Sequence, residues 1–571
     1  MMSLVRWLRR YFAFIVIALT YGWACVSIYR YRTKEAPPGT ITLRYAHWQL
    51  EPGVRAALDE LARDYQRTVN PRVRIIQNVI PESIYGQWAS TQLMGGTAPD
   101  IINIWQGLPY HIWVMYLNRY FIPLTSIVNT PNPYNRGTEL SNMPLRLTYH
   151  DAMRMGYVDE LQDYMMLPLS QFIMRIFYNK DLLEKLTGSA TPPKTYRAFL
   201  DACATIRSQT NAAGAHYIPI AASQYHYGMW DTYMSDALTY PALRKADFNR
   251  DGTVGNDETF AAFRAGLLSF KNFPPLRARF AMVRDLCDNC QPGFTGVTRD
   301  EAVFLFAQQR VVFMSTGTWD VRSLQQQAEG KYRVGIMDYP MPTPDDPVFG
   351  PHLEGPVFDR PFTGVCPAIT RTCKNPDIAL DFLLFAVSKL RNERFNATVG
   401  WIPAIVNTRM DDALRGFEPH MEGVYACLNF NLGGETWVKY AQLYALYKVN
   451  QISYDEFAAR FEPFYKERGL RDFMELQRDW RRGMITSEQM LTGIRAQALA
   501  ATGAAARSAW VKYRVMTAAR QVWPEISHAE QLQLVLDGPR SGGVGPYEYS
   551  SNVLARIRAR LAAHAPVEPS P

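Results

Sequence analysis

The chain has 571 residues, of which 47% are hydrophobic, 20% charged and 13% aromatic, with 36 Gly and 37 Pro. These proportions exclude a disordered chain, a collagen-like repeat and a polytopic membrane protein, and a chain of this length divides into more than one domain. The 61 Lys and Arg exceed the 53 Asp and Glu by 8 without the dense basic runs that bind phosphate backbones, so nucleic acid is not an expected partner.

The first element is an uncharged run, Tyr11 to Tyr29 (YFAFIVIALTYGWACVSIY), flanked by Arg6, Arg9 and Arg10 before it and Arg30, Arg32 and Lys34 after it. A run of this length crosses a bilayer as a helix. It lacks the short apolar core and small-residue site of a cleaved leader, and Gly22 stands three before Cys25 where a lipidation site has an aliphatic residue. The reading is an uncleaved signal anchor over residues 1–36 that tethers the body to the outer face of the cytoplasmic membrane.

After the linker EAPPGT, Ile41 to Ala46 alternates as a strand, Pro52 to Asn70 has helical apolar spacing, Val73 to Ile80 is a second strand, Ser83 to Met94 a helix, and Ile101 to Trp105 a third strand. This βαβαβ opening predicts a parallel sheet. Strand signals recur at Phe172 to Asn179, near Arg310 (RVVFMS) and near Phe362 (FTGVCPAIT), and stop at about residue 410. Beyond that, Glu435 to Val449, Tyr454 to Arg468 and the Ala-rich Leu491 to Val522 read as helices, with VNQISYDEFAARF and RRGMITSEQMLTGI as two similarly capped helix starts. The seven cysteines (Cys25, Cys203, Cys287, Cys290, Cys366, Cys373 and Cys427) are too sparse for a disulfide scaffold. The CDNC pair, Cys287 and Cys290, is read as a local disulfide or free thiols rather than half of a zinc site.

Short segments in fixed order add a further observation. GGTAPDI (Gly95 to Ile101), a strand followed by YNKD and PPKT between Leu167 and Leu200, FAQQRVVFMSTGTW (Phe306 to Trp319), FTGVCPAIT followed by NPDIALDFLLFAVS, and FNATVGWIPAI (Phe395 to Ile405) cover roughly residues 40 to 410. This set resembles the extracellular solute-binding proteins of sugar-importing ABC transporters. Two departures are Gln309-Arg310 where the family has Gly-Lys, and an anchor in place of a cleaved or lipidated leader. The resemblance implies a two-lobed α/β, periplasmic binding protein-like fold with an inter-lobe cleft over residues 37–440, interleaved in sequence, followed by a helical extension over 441–571. It implies capture of a saccharide for delivery to an ABC-type permease.

In open α/β sheets ligands sit beyond the carboxyl ends of the strands. This selects His47 and Trp48 after the first strand, Trp105 and Gln106 after the third, Thr318 and Trp319 after RVVFMS, and Trp401 in the GWIP loop. Indole faces stack on the C–H faces of sugars, with Glu51, Asp100, Asn103 and Asp320 as polar partners and Tyr225, Tyr227 and Trp230 as a second aromatic edge.

Asp247 to Glu258 (DFNRDGTVGNDE) fits the calcium-loop pattern D-x-[DN]-x-[DN]-G-x5-E. Asp247, Asn249, Asp251 and Glu258 are the side-chain ligand candidates and Thr253 the carbonyl one, for a structural Ca2+; a plain hairpin turn is the alternative. No HExxH, GxSxG, Walker or GxGxxG motif occurs, and no enzymatic activity is expected. A membrane-anchored glycosidase remains an alternative, because paired carboxylates need no sequence spacing. A non-transporting sugar sensor or scaffold is the other.

Overall fold

A computed structural model describes residues 20–24, 26, 39–50, 53–104, 110–158, 161–248, 252–359, 361–420, 423, 428–520 and 526–538. Besides a two-stranded ribbon of Tyr157–Val158 and Asp163–Tyr164, its strands are β1 (Ile41–His47), β2 (Val73–Val79), β3 (Ile101–Asn103), β4 (Ser170–Phe172), β5 (Met174–Asn179), β6 (Ile218–Ala221), β7 (Val311–Gly317), β8 (Val334–Met337), β9 (Phe362–Thr363), β10 (Pro367–Ile369) and β11 (Ile402–Pro403).

Two four-stranded sheets, β10-β3-β1-β2 and β8-β5-β7-β6, form the centres of two lobes. In lobe 1, β1 pairs in parallel with β2 and β3, and β10 runs antiparallel to β3. Helices α1 (Val54–Thr68), α2 (Glu82–Met94) and α3 (Tyr110–Tyr120) belong to this lobe. Helix α1 buries Val54, Ala57, Leu58, Leu61, Ala62 and Tyr65, the stripe that a 3.6-residue period produces. In lobe 2, β6 and β7 are parallel while β5 is antiparallel to both β7 and β8. Lobe 2 carries α4 (Gln224–Trp230), α5 (Asn256–Arg264) and α6 (Pro274–Asp288).

Three chain crossings join the lobes, and they pair with one another. β4 is flanked by β9 and β11 in an antiparallel three-stranded sheet, with Phe172 opposite Phe362 and Gln171 opposite Ile402. The continuous strand read at Phe172 to Asn179 is therefore two strands broken at Ile173. Phe172 packs in a lobe 1 core and Ile173 in a lobe 2 core, so alternation along the chain hands it from one lobe to the other. Gly364, between β9 and β10, faces the Phe172 ring so closely that a Cβ there would lie 2.8 Å from it.

The C-terminal helices are α7 (Gly434–Lys448), α8 (Tyr454–Ala500), α9 (Gly503–Arg520) and α10 (Ile526–Asp537). Residue 440 falls inside α7, and α7 and the first turns of α8 belong to the core of lobe 2. Phe457, Phe461, Tyr465 and Phe473 are fully buried, and their rings meet Phe260, Phe270 and Phe280 at 4.8–6.0 Å. Each such ring contributes roughly 1.5–3 kcal/mol on burial. Ser453 starts α8 with a reciprocal Ser453–Glu456 capping box. RRGMITSEQM, by contrast, lies within α8 and starts no helix. The Ala-rich stretch is divided at residues 501–502 into α8 and α9.

The apolar run at Tyr11 to Tyr29 falls mostly outside the described residues. Among the described residues no helix is long and apolar enough to cross a membrane.

Candidate functional site

The registers place the site. The carboxyl ends of β6, β7 and β8 and the amino end of β5 share one edge of the lobe 2 sheet, next to the crossing at Ile173. In lobe 1 the carboxyl ends of β1 and β3 and the amino end of β10 share the edge that leads into the crossing at Gly364. Both edges adjoin the hinge sheet, and the space between them is the candidate cleft.

On the lobe 2 side β7 ends at Gly317, and the Trp319 ring folds back over that glycine, occupying the space a side chain would need. Trp319 is half-buried and meets two hinge rings, Phe172 at 5.4 Å and 69° and Phe362 at 5.8 Å. Tyr225, 46% exposed in the first turn of α4, lies 6.4 Å from Trp319, with the Arg299 guanidinium 5.8 Å from its centroid. Partial burial raises the Tyr225 phenol above its ordinary range; Arg299 opposes this, and the carboxylates of Asp320 and of Glu82 in lobe 1 reinforce it. Asp320 is committed elsewhere, accepting from Arg299 and from Thr316 Oγ1, both at 2.5 Å. Thr318 is buried, its N–H donating to the Ile173 carbonyl at 3.0 Å.

On the lobe 1 side Trp48 packs edge-on against Tyr85 at 4.8 Å, and the Tyr85 hydroxyl donates to the carbonyls of Ala46 and Asn103. His47 is fully buried. Gln77 donates through Nε2 to Arg55 O and Asp59, which leaves its Oε1 to accept from His47 Nε2 at 2.8 Å. Burial holds the His47 imidazole below its usual value, in the neutral form.

Several residues expected in the cleft are placed otherwise. Asn103 is buried between Tyr45, which donates to it at 2.7 Å, and Gln49, which passes the chain of bonds on to the Gly364 carbonyl. It braces the hinge. Asp100 stands at the amino end of β3, away from the cleft, accepting from Arg44 N at 2.8 Å. Trp401 is 1% exposed, edge-on to Phe172 at 4.9 Å in the lobe 1 core. Tyr227 and Trp230 are lobe 2 core residues beside Phe294 and Phe199, because only the first turn of α4 reaches the cleft. Glu51, Trp105 and Gln106 lie outside the described residues.

The structure adds residues that sequence reasoning missed. Arg175, the second residue of β5, is 1% exposed and holds Asp359 through two bonds of 2.9 and 2.6 Å. Its Nε stands 2.8 Å from the carboxylate of Asp338, which is 62% exposed and lies 3.2 Å from His420 Nε2. Beside Asp338, Tyr339 bonds Ser315 at 2.6 Å, stacks on Tyr233 at 5.0 Å and 4°, and meets Trp230 edge-on. His226 is buried with Nδ1 2.9 Å from Ser223 Oγ, and burial, reinforced by Arg299, pushes its imidazole down to about 3. A lone arginine inside the apolar strand MRIFYN was the available signal.

The calcium-loop candidates are partly described. Asp247 and Glu258 are each 1% exposed; Asp247 accepts from Gly252 N at 3.0 Å, and Glu258 accepts from Phe248 N and Gly255 N. Both carboxylates thus accept backbone N–H groups near Gly252, which has a φ of 82°. Asn249 and Asp251 lie outside the described residues. Among the described residues no group of three His, Cys, Asp or Glu gathers for a metal. Cys203, Cys287, Cys290, Cys366 and Cys373 are free thiols, and burial pushes Cys287 up to about 12.

Residues 60–413 match the family described as bacterial extracellular solute-binding protein. The chain belongs to that family. This solute-binding protein is 20% identical over 317 residues to the multiple sugar-binding protein of Streptococcus mutans serotype c, a match covering 54% of this chain and 64% of that one. The chain thus spans under two thirds of that relative's length. Its fold is similar to that of a chitin oligosaccharide binding protein (TM-score 0.53, 14% identity, 75% of this chain and 98% of that one). It is equally similar to the apo form of RafE from Streptococcus pneumoniae (TM-score 0.53, 17% identity, 76% and 99%).

Proposed function

We propose that this solute-binding protein captures a neutral saccharide between its lobes on the extracytoplasmic side and delivers it, unaltered, to an ABC-type permease. The observation that carries the reading is a cleft with aromatic faces and balanced charges. Tyr225 and Trp319 face it from lobe 2 and Trp48 stands at the edge of lobe 1, while Arg175 is matched by Asp338 and Asp359 and Arg299 by Asp320. Rings supply stacking surface for sugar C–H faces, and guanidiniums already paired to carboxylates favour hydroxyls over an anionic ligand. The multiple sugar-binding, chitin-oligosaccharide-binding and raffinose-complexed relatives support the substrate class.

Anchoring by the N-terminal run is part of the same proposal, supported by Tyr21 and Trp23, 73% and 75% exposed at its described end. A structural Ca2+ held through Asp247, Asn249, Asp251, Thr253 and Glu258 is proposed beside it. The test is a thermal-shift and tryptophan-fluorescence screen of the full chain in detergent against neutral mono- and oligosaccharides and uronates, with product analysis. A shift with an intact neutral sugar is expected. Consumption of the sugar, or a response only to uronates, would overturn the reading.

A further inference from the structure

The helices beyond the family match touch both lobes. α8 begins in the lobe 2 core and, at about 1.5 Å per residue over its 47 residues, runs on the order of 70 Å. Along it Met490 packs against the lobe 1 cluster that includes Val114 and Leu117, and α8 contacts α3 there. The chain turns back through α9, where Lys512 forms an ion pair with Asp163 of lobe 1, which also accepts from Thr125 Oγ1 at 2.7 Å. It then returns to lobe 2, where α10 packs on α5 and buries Val535.

We propose that α8, α9 and α10 form a strap that sets the angle between the lobes, fixed on lobe 2 at both ends and gripping lobe 1 at its tip through Met490 and Lys512. The asymmetry of the two attachments carries the argument. The base is locked by fully buried rings of α8 in the lobe 2 core. Among the described residues the tip's contacts with lobe 1 include a flexible thioether and an ion pair with partners 29% and 15% exposed, contacts that can break and re-form. A rotation of lobe 1 about the hinge sheet must slide along the tip or release it, so the strap biases one lobe angle with no ligand present. The inference rests on the solute-binding reading only for what the cleft holds.

The test uses the full chain carrying one spin label on lobe 1 at Thr91 and one on lobe 2 at Asp201, both exposed. Inter-lobe distances are measured by pulsed electron resonance without ligand. Lys512→Glu, and separately Met490→Asp, are expected to broaden and shift the distribution. The charge swap Lys512→Glu with Asp163→Lys is expected to return it to the parent. Unchanged distributions in both single variants would overturn the strap, and so would a Lys512→Glu shift that the swap leaves in place. Because no sugar is added, failure of the saccharide screen does not alter this readout.

Discussion

Trp319 and Trp401 carry the same ring and touch the same Phe172, yet one lines the cleft and the other supports it. On the proposed reading the half-buried Trp319 would offer a face to ligand, so Trp319→Ala should lower saccharide affinity by about 2- to 10-fold, the worth of one stacked ring. Trp401 fills a core, and Trp401→Ala should cost about 3–5 kcal/mol of stability. Urea unfolding and fluorescence titration of both variants check this; equal loss of affinity without loss of stability in Trp401→Ala would return that ring to the site. At this scale the sequence points to the loops that follow strands and cannot rank the side chains on them. Trp48, Thr318 and Trp319 follow strands, while His47 is the last residue of β1. Which of two tryptophans is covered depends on Phe172 and Phe395, distant in sequence from Trp319 and closed around Trp401 only by the fold. Arg175 was missed for the same reason, since its partners Asp338 and Asp359 come from separate segments.

Among the elements, the βαβαβ opening and the strand near Arg310 were legible because period-2 and period-3.6 patterns are local. The break at Ile173, and the division of FTGVCPAIT into β9 in the hinge sheet and β10 in lobe 1, were not, because only the change of partner sheet separates the halves. The run of α8 through RRGMITSEQM was hidden by a cap-like Thr-Ser-Glu in the middle of a helix. The Asp247–Glu258 loop is an element whose pattern can be tested by occupancy. A cation that binds only the folded loop adds stability by mass action, so EDTA should lower the melting temperature and excess calcium restore it. Identical melting curves under both conditions would leave the segment a plain turn between Ala246 and α5.

For the whole molecule, buried neutral imidazoles make stability depend on pH. His226 is held at about 3 against an ordinary 6.5, so below 6.5 the unfolded chain binds a proton that the folded chain refuses. Stability is then full above pH 6.5 and falls by about 1.4 kcal/mol per pH unit as pH drops toward 3. The buried His47 is shifted in the same direction. Urea unfolding at pH 6.5 and 5.0 should show a loss of about 2 kcal/mol that His226→Gln removes; an equal slope in that variant would mean that other groups carry it.

The hinge sheet also governs the order in which the protein can be built. β4, at residues 170–172, lies between strands contributed by residues 362–363 and 402–403. Lobe 1 likewise lacks β10 until residues 367–369 are present. During synthesis the four strands of lobe 2, all within residues 174–337, can pair with one another, whereas lobe 1 and the hinge cannot be completed: more than two hundred residues must follow β4 before its second neighbour exists. Such long-range pairing folds slowly, so lobe 1 and the hinge stay open in the emerging chain until residues 402–403 have been made.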